Sequence, residues 1–513
     1  MESLLSVVIH GALMLPLYIV LLFSYRIYFH PLRDYPGPWI AKLSDVYAGY
    51  HALAMQLHLV TFLDLKKYGP VLRHGPNKLV FSSAEALQDI YNNERVTKSH
   101  VYKLTITAGK PSIFNALNKQ THREKRKLIG QAITDKAMRS FEPTMVEEID
   151  IFLGQLLQAA RGSMPVNMTD LTKRLGADVV GQLAFGYALN MQTDPTNRFV
   201  LRGLAVGSYQ NNSFMQIPML KRLGLHNLLM LAGYSQRKKY KKLLQQMILA
   251  RLSQDKHARN DLYSFVVDHL DDPSTRVTTS ELWSEALFFF PAGGDTATTA
   301  MSSLFFYLSR NRDAYEKLAT EIRNTFAHIT DVRGGSKLAS CRYLRACIDE
   351  ALRMSPPVGS TLWREPYPEE KGKPFIVDGH VIPPGTQVGV SIYALHHDEK
   401  YFSDPFKFNP DRWLVDDHSA LSRMHSAFSP FSIGPRGCAG KSMAYLEVSL
   451  VIARTLMRFD FEVAPGKDGR LGAGQAGRSW GRHRPDEFQC YDTFGSRHTG
   501  PNLIFRERQV LDT

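Results

Sequence analysis

Cysteine is scarce in this chain, whose 513 residues include four: Cys341, Cys347, Cys438 and Cys490. No two of them form a C-x-x-C pair, so a zinc site is disfavoured and a disulfide framework has no support. Low-complexity tracts, internal repeats and Gly/Ser/Pro-rich linkers are also missing after residue 40. These absences favour one large domain in a reducing compartment.

Acidic residues are fewer than basic ones, 49 against 62, which gives a formal net charge of +13. No nucleic-acid-binding motif accompanies this excess, so we expect no nucleic-acid partner. General surface charge is one explanation of the excess. Attraction to an acidic membrane surface or to an acidic protein is the other.

Formal charge is absent from residues 4–23, a run of twenty residues that is long enough to cross the core of a bilayer. A cleaved signal peptide is the alternative, but the run is too long and no small-x-small cleavage site follows it. Arg26 and Arg33 follow the run and Glu2 precedes it, so the positive-inside rule leaves the body in the cytosol. We therefore predict a single transmembrane anchor over residues 1–25.

A proline-rich segment over residues 26–40 comes next, and its prolines stiffen a linker and stop a helix. We predict that it is a hinge between the anchor and one domain over residues 41–513. Two N-x-S/T sequons, at Asn167 and Asn211, lie in that domain. Because a cytosolic body does not meet the glycosylation machinery, we interpret both as chance.

The most informative segment is residues 431–440, which read F-x-x-G-x-R-x-C-x-G and lead directly into a helical pattern over 441–458. Cys438 suits a thiolate ligand, because a helix N-terminus and free backbone N–H groups stabilise negative sulfur. Gly434 and Gly440 permit tight turning and the close approach of a flat cofactor. An ordinary buried cysteine in a glycine-rich loop is the alternative.

With this motif the chain resembles the cytochrome P-450 family of haem-thiolate monooxygenases. The resemblance implies that Cys438 is the axial ligand of a haem b iron. It implies that Arg436 meets a haem propionate and that Phe431 and Gly440 contact the cofactor. It also implies a mainly α fold with a smaller β-rich lobe, in which a haem-binding monooxygenase domain over residues 41–513 holds the haem between two long helices.

A long apolar helical pattern over residues 281–309 contains Pro-Ala-Gly-Gly-Asp-Thr, residues 291–296, at its centre. Pro291 removes one helix hydrogen bond and each glycine costs up to about 1 kcal/mol relative to alanine, so we predict a locally opened helix at a functional site. In the family, the residues that match Asp295 and Thr296 pass protons to oxygen at the haem. A kinked structural helix is the alternative. Proline is not usual at this position in the family, so we expect a different local bend.

Another helical pattern, over residues 119–133, brings His122 and Arg126 to one face. The resemblance implies that these two residues and Arg364 bind the haem propionates. His122 stands where the family usually has tryptophan, so its role follows less directly from the resemblance.

Glu350 and Arg353 lie three residues apart in a helical pattern, and Arg412 lies in the later motif F-N-P-D-R-W. The resemblance implies that the three form a buried charge network beneath the haem. We assign this network to the fold and to haem assembly.

The resemblance also implies the electron donor, NADPH–cytochrome P-450 reductase, with cytochrome b5 as a second candidate. Lys119, Arg123 and Lys127 form a basic stripe on the helix predicted over residues 119–133. This basic stripe is either a docking surface for an acidic reductase or a solvated face.

The predicted activity is the insertion of one atom of O2 into a small apolar substrate by an enzyme anchored in the endoplasmic reticulum membrane, with its catalytic domain in the cytosol. A tailoring step in secondary-metabolite biosynthesis suits the fungal form of residues 30–38, and oxidation of a small aromatic acid or a xenobiotic is the runner-up. A haem-thiolate isomerase or dehydratase and a non-enzymatic haem sensor or electron carrier are competing classes. The element at residues 292–296 argues against both.

Three segments are predicted to line the substrate cavity: residues 101–117, 201–230 and 493–501. Their larger side chains suit a medium to large apolar ligand. These side chains are Ile113, Phe114, Phe214, Met215 and Met219.

Overall fold

The computed structural model describes residues 2–106, 109–231, 234–255, 261, 263–264, 279–370 and 372–508. Helices dominate it. In chain order they are α1 (Glu2–Ser24), α2 (Trp39–Leu43), α3 (Val46–Leu53), α4 (Leu57–Tyr68), α5 (Ala84–Tyr91), α6 (Lys119–Ala132), α7 (Asp135–Arg161), α8 (Met168–Phe185), α9 (Phe199–Gln216), α10 (Pro218–Arg222), α11 (His226–Leu231), α12 (Tyr234–Leu252), α13 (Thr279–Arg310), α14 (Arg312–Thr325), α15 (Ser336–Ala339), α16 (Arg342–Met354), α17 (Ile392–His396), α18 (His418–Ala427) and α19 (Lys441–Arg458).

The strands are shorter and fall into small sheets. They are β1 (Val71–Gly75), β2 (Lys78–Phe81), β3 (Val96–Lys98), β4 (Val166–Asn167), β5 (Arg364–Pro366), β6 (Ile376–Val377), β7 (His380–Val381), β8 (Gln387–Val390), β9 (Phe459–Val463), β10 (Tyr491–Thr493), β11 (Gly495–Arg497) and β12 (Asn502–Glu507). One sheet has the order β1-β2-β8-β5-β3, another the order β4-β12-β9, and β6-β7 and β10-β11 form hairpins. Within the five-stranded sheet β2 and β8 run parallel, while the other pairs are antiparallel.

Two large clusters of buried side chains form the helical part and the β part of the core. The larger one joins α7, α8, α13, α16 and α19, and a second one surrounds the five-stranded sheet through residues such as Leu79, Phe81 and Val388. The prediction of a mainly helical fold with a smaller β part is therefore confirmed. The helices predicted over residues 119–133, 281–309 and 441–458 are found as α6, α13 and α19.

The N-terminal helix α1 is followed by a short π-helical turn over Tyr25–Phe29. In the part of the chain that the structure describes, no helix is both long enough and apolar enough to cross a membrane, and most side chains of residues 1–13 lie outside that part. The anchor predicted over residues 1–25 is thus not confirmed.

The segment predicted as a hinge, residues 26–40, is tied to the first strand. The backbone N–H of Arg73 donates to the carbonyl of Pro36 at 2.7 Å, and its buried guanidinium donates to the carbonyl of Arg26 at 2.9 Å. Gly37 has a φ of +152°, and a Cβ there would lie 2.5 Å from the carbonyl oxygen of Arg73. The contact with β1 therefore requires glycine at this position.

Helices α8 and α13 pack closely because glycines stand at their contact. A Cβ added to Gly176 would lie 2.8 Å from Cγ2 of Thr298, and one added to Gly293 would lie 2.7 Å from Cγ2 of Val180. This packing stabilises α13 as one continuous helix from Thr279 to Arg310. The prediction of a locally opened helix is wrong, because the helix runs without a break through residues 291–296. Gly293 serves the contact with α8, whereas a Cβ on Gly294 would meet no atom within 4 Å.

The buried charge network is present as predicted. Glu350 is fully buried and accepts hydrogen bonds from Arg353 at 2.9 and 3.0 Å and from Nε of Arg412 at 3.1 Å. Two further donors were missed from the sequence: the backbone N–H of Asn409 and Nε1 of Trp413, both at 3.0 Å. The network joins α16 to the segment that holds the F-N-P-D-R-W motif.

Candidate active site

One cavity of about 420 Å³ lies between α13 and the loop that precedes α19. All of the predicted site residues line its wall: His122, Arg126, Asp295, Thr296, Arg364, Phe431, Arg436, Cys438 and Gly440. The structure therefore brings together, from distant parts of the sequence, the thiol, the acid–hydroxyl pair and the cations.

The cysteine loop is held by its own backbone. The N–H of Cys438 donates to the carbonyl of Phe431 at 2.8 Å, and the N–H of Gly437 donates to the carbonyl of Gly434 at 3.0 Å. Cys438 is accessible because it borders the cavity, although protein surrounds its thiol, whereas Cys341, Cys347 and Cys490 are buried in the core. Desolvation raises the pKa of the Cys438 thiol, while the N–H of Gly440 and the charge of Arg126 act in the opposite direction. A bound metal ion would deprotonate such a thiol outright.

The two loop glycines have different roles. Gly434 has a φ of +71°, and a Cβ there would lie 2.1 Å from the carbonyl oxygen of Tyr91. It therefore allows the loop to pack against the end of α5, which corrects the prediction that it lets a cofactor approach. Gly440 lines the cavity, and a Cβ there would meet no atom within 4 Å, so the loop leaves room beside it.

Three arginines in the cavity wall have guanidinium groups that donate hydrogen bonds to backbone carbonyls, which hold the side chains in place. In the part of the chain that the structure describes, none of the three forms an ion pair, so their positive charge is not compensated. The hydrogen bonds are Arg126 to Gly437 at 2.6 Å, Arg364 to Trp363 at 3.1 Å, and Arg436 to Ala116 at 2.6 Å and Leu117 at 2.9 Å.

A fourth cation, Lys98, was missed from the sequence. It is buried in the cavity wall, where its Nζ donates to the carbonyls of Ile113 at 3.1 Å and Phe114 at 2.6 Å. It lies directly opposite Arg364 in the register of β3 and β5, and like charges in that position destabilise a sheet. Burial and the nearby arginines hold its pKa well below its ordinary value. The local sequence carries no sign that Lys98 belongs to this group of cations. The pairing of β3 with β5 places it there.

His122 completes the cluster as a neutral side chain. Burial, followed by the charges of Arg436, Lys98 and Arg126, lowers its pKa to about 3. A neutral imidazole still has one N–H to donate. In the described part of the chain no carboxylate forms an ion pair with these side chains, although the charge of Glu285 acts on Lys98. The cluster is therefore positive and largely desolvated, which is unfavourable unless an anionic ligand binds.

These residues fit a haem. One cavity presents a thiol on a helix-capping loop and a set of cations that match two propionates. Cys438 would hold the iron. Lys98, His122, Arg126, Arg364 and Arg436 would hold the propionates.

The opposite wall carries the acid–hydroxyl pair on α13. The hydroxyl of Thr296 donates to the carbonyl of Ala292 at 2.6 Å, so it is directed by its own helix. A hydroxyl that donates one bond can still accept two, so Thr296 can accept a hydrogen bond from water or substrate. Asp295 beside it is half-buried; desolvation raises its pKa, and Lys173 opposes that shift. A carboxyl with a raised pKa keeps its proton to a higher pH than an exposed aspartate does, which suits a group that carries protons.

A second acid in the wall, Glu447, was also missed. It lies on α19, is 2% exposed and lines the cavity, and burial raises its pKa to about 8. Its Oε1 has no hydrogen-bond partner among the described residues. The sequence carries no signal for this, because Glu447 sits in an amphipathic helix where a glutamate is ordinary.

The apolar part of the wall is aromatic. Phe114 stacks on Phe288 with centroids 5.0 Å apart and meets Phe494 edge-on at 5.0 Å. Ile113 and Phe114 line the cavity as predicted. Three other predicted lining residues do not. Phe214 and Met215 are buried in the core, since α9 turns a different face to the cavity, and Met219 lies on α10 and is exposed. Residues 107–108 of the predicted segment lie outside the described residues.

Comparison with known proteins agrees with this geometry. The cytochrome P450 family model matches residues 38–475. A cytochrome P450 monooxygenase of Alternaria alternata is 35% identical over 504 residues, 96% of this chain and 95% of that protein. Others from Penicillium oxalicum and Gibberella fujikuroi are 34% and 32% identical, and each covers 96% of this chain and at least 93% of its own length. The chain therefore belongs to the cytochrome P450 family, as a monooxygenase that uses haem with an axial cysteine thiolate.

Proposed function

We propose that this cytochrome P450 inserts one atom of O2 into an apolar organic molecule held against the aromatic wall of the cavity. The observation that carries the proposal is that the Cys438 thiol, the pair Asp295–Thr296 and the aromatic residues share one cavity. When bound, haem supplies the activation of dioxygen and the oxidation itself. The chain's own residues position the cofactor, the substrate and the protons.

The proposed proton route uses α13. Asp295, whose pKa is raised by burial, takes up a proton and passes it on. Thr296 accepts a hydrogen bond from water on the cavity side while its own hydroxyl keeps donating a hydrogen bond to the carbonyl of Ala292. The aromatic wall excludes other water, so that protons reach the cavity along this route.

Thr296→Ala tests this route. We expect haem binding and substrate binding to be nearly intact, because among the described residues the Thr296 hydroxyl bonds only the carbonyl of Ala292 in its own helix. Product per NADPH should fall roughly tenfold or more, with peroxide formed instead. The measurement is product, peroxide and NADPH in one reconstituted assay. Thr298→Ala is the matched control, since that hydroxyl also donates to a backbone carbonyl of its own helix, that of Asp295 at 2.9 Å, and Thr298 does not line the cavity. Parent-like product yield in Thr296→Ala contradicts the role.

The electrons, we propose, come from NADPH–cytochrome P-450 reductase, with cytochrome b5 as a second donor. The basic stripe supports this, because Lys119, Arg123 and Lys127 are exposed on α6, which also carries His122 and Arg126 into the cavity. A partner docked on the basic stripe would therefore contact the helix that lies beside the haem propionates.

Reversal of two charges, Arg123→Glu with Lys127→Glu, tests the docking surface. We expect the reductase to bind several-fold more weakly at low salt, with the difference shrinking as salt screens the charges. A titration of electron-transfer rate against reductase concentration at two ionic strengths measures it. Lys238→Glu with Lys242→Glu, an exposed pair at the same spacing on α12, is the control. Identical titrations for both double variants would make the basic stripe a solvated face.

We further propose that residues 1–25 anchor the chain in the endoplasmic reticulum membrane, with the catalytic domain in the cytosol. The uncharged run over residues 4–23 supports this. A chain without residues 1–25 should leave the membrane fraction after a high-salt wash and keep its CO spectrum, because every haem motif lies far beyond the anchor. A truncated chain that resists the wash, or that carries no haem, would contradict the proposal.

For the substrate, we propose a tailoring step in secondary-metabolite biosynthesis, because the relatives come from fungi and the cavity is apolar. A small aromatic acid is less well supported. Such a substrate would need a cation for its carboxylate, but the cations in the cavity wall are assigned to the haem propionates, apart from Lys110, which is exposed.

The overall proposal is tested by reconstitution with a reductase. Consumption of NADPH and oxygen that depends on an apolar substrate and yields an oxygenated product supports a monooxygenase. Turnover of a peroxide without NADPH would indicate an isomerase or dehydratase instead. Haem reduction without any product would indicate a sensor or an electron carrier. Metabolite profiles of cells with the parent and with Cys438→Ser then identify the compound.

A further inference from the structure

Two polar side chains on α9, Ser208 and Asn211, line the cavity one helical turn apart. Both are half-buried, and neither makes a hydrogen bond to any part of the chain that the structure describes. Other polar residues of the same helix are bonded: the hydroxyl of Ser213 donates to the carbonyl of Tyr209 at 2.8 Å, and Gln210 accepts from Arg237 at 2.8 Å. Among the described residues of α9, Oε1 of Gln216 and Oδ1 of Asn212 also lack a partner, but neither of those residues lines the cavity. Ser208 and Asn211 are thus the unbonded polar side chains of this helix that face the cavity.

The rotation of α9 about its axis is fixed by the residue next to the pair. Nδ2 of Asn212 donates to Oδ1 of the buried Asp492 at 3.3 Å. Asp492 also accepts from the hydroxyl of Ser360 and, at 3.1 Å, from the backbone N–H of Phe494. This carboxylate therefore joins α9 to two other segments of the wall, one of which carries an aromatic residue of the cavity.

We propose that Ser208 and Asn211 bind a neutral polar group of the substrate, so that the substrate is an apolar molecule with a hydroxyl, carbonyl or amide function. A hydroxyl and a carboxamide both donate and accept hydrogen bonds, and neither carries a charge. They match neutral groups of the same kind better than a carboxylate. The inference rests on the proposed function, because it names the substrate class of the same cavity.

Selectivity follows from the cost of leaving the pair without a partner. A purely hydrocarbon substrate would displace water from Ser208 and Asn211 and give them nothing in return. A substrate with a matching polar group satisfies both. Sites of this kind reject the analogue that lacks the polar group more strongly than they reject a change in apolar size.

The test uses imidazoles that bind the haem iron of the full-length holoprotein. One series carries plain alkyl chains of increasing length, and the other carries the same chains ending in a hydroxyl group. The shift of the Soret band measures each dissociation constant. In the parent we expect the hydroxyl to strengthen binding roughly threefold to tenfold at the chain length that reaches α9. Ser208→Ala and Asn211→Leu should remove that gain while the plain chains bind at least as tightly.

Ser213→Ala is the matched control, because that hydroxyl is bonded within α9 and does not line the cavity. It should keep the full gain. If Asn211→Leu loads no haem, Asn211→Ala, which adds no bulk, takes its place. A parent that shows no gain at any length, or variants that keep it, would overturn this inference alone. If none of the imidazoles shifts the Soret band of the parent, the proposed function is overturned as well.

Discussion

Cys438→Ser will abolish the reduced-CO Soret band that is characteristic of thiolate ligation. Serine keeps the size of the side chain and the backbone bond from residue 438 to Phe431, so the loop itself should persist. A serine hydroxyl does not ionise near neutral pH, and it cannot supply the soft anionic ligand that the iron needs. Activity should be lost with the band.

The control for this experiment is Cys341→Ser. Cys341 is 2% exposed in the helical core and does not line the cavity, so its replacement should leave the band unchanged. Haem content is measured on both variants by an assay that does not depend on the axial ligand. A thiolate band that survives in Cys438→Ser would place the iron ligand elsewhere, and the assignment of the site would fail.

The sequence predicted those parts of the site that lie within a few residues of one another. The cysteine loop combines a thiol, two glycines and a helix start within residues 431–440, and each of these has a local physical meaning. Asp295 and Thr296 are adjacent on one helix. Cys438, Gly440, Asp295 and Thr296 all reach the same cavity, whereas Gly434 packs against α5 instead.

Residues whose role depends on a neighbour far along the chain were missed or misread. Lys98 belongs to the cation cluster because β3 pairs with β5, a pairing between residues 98 and 364 that no local pattern shows. Gly293 looks like a break in a helix, yet a Cβ there would collide with Val180 of α8. Asn211 was interpreted only as a chance glycosylation sequon. It lines the cavity because of the way α9 is rotated about its axis, which the sequence does not show.

The cavity wall illustrates the same limit. Five side chains were predicted to line it from their size and apolarity, and only Ile113 and Phe114 do. Helix α9 supplies Ser208 and Asn211 instead of Phe214 and Met215, because its apolar side chains pack into the core. Apolarity alone does not separate a residue that fills the core from one that faces a ligand.

Glu350→Gln will prevent the chain from accumulating as haem-loaded protein. The substitution leaves the buried guanidiniums of Arg353 and Arg412 without a counter-charge, and breaking a buried pair in this way costs about 3–5 kcal/mol. That loss is a large part of the stability of a typical domain. We expect little holoprotein, measured as the CO-difference spectrum per total protein expressed.

Glu316→Gln is the matched control. Glu316 pairs with Arg312 at 2.6 Å on a helix, as Glu350 does with Arg353, but both partners are more than half exposed. An exposed pair contributes about 0–1 kcal/mol, so this variant should accumulate like the parent. If Glu350→Gln also accumulates like the parent, the network is dispensable and its assignment to haem assembly is wrong.

The same network predicts how stability depends on acid. Burial alone would raise the pKa of Glu350, but Arg353 and Arg412 outweigh burial and hold that pKa below its ordinary value of 4.5. Because the folded-state pKa is the lower one, the network contributes its full stabilisation above pH 4.5 and loses it as the pH falls through the folded-state pKa. Haem release from the parent should therefore rise steeply only in acid. The small amount of holoprotein recovered from Glu350→Gln lacks this carboxylate. It should release haem faster than the parent at neutral pH, and its rate of haem release should change less as the pH falls below 4.5.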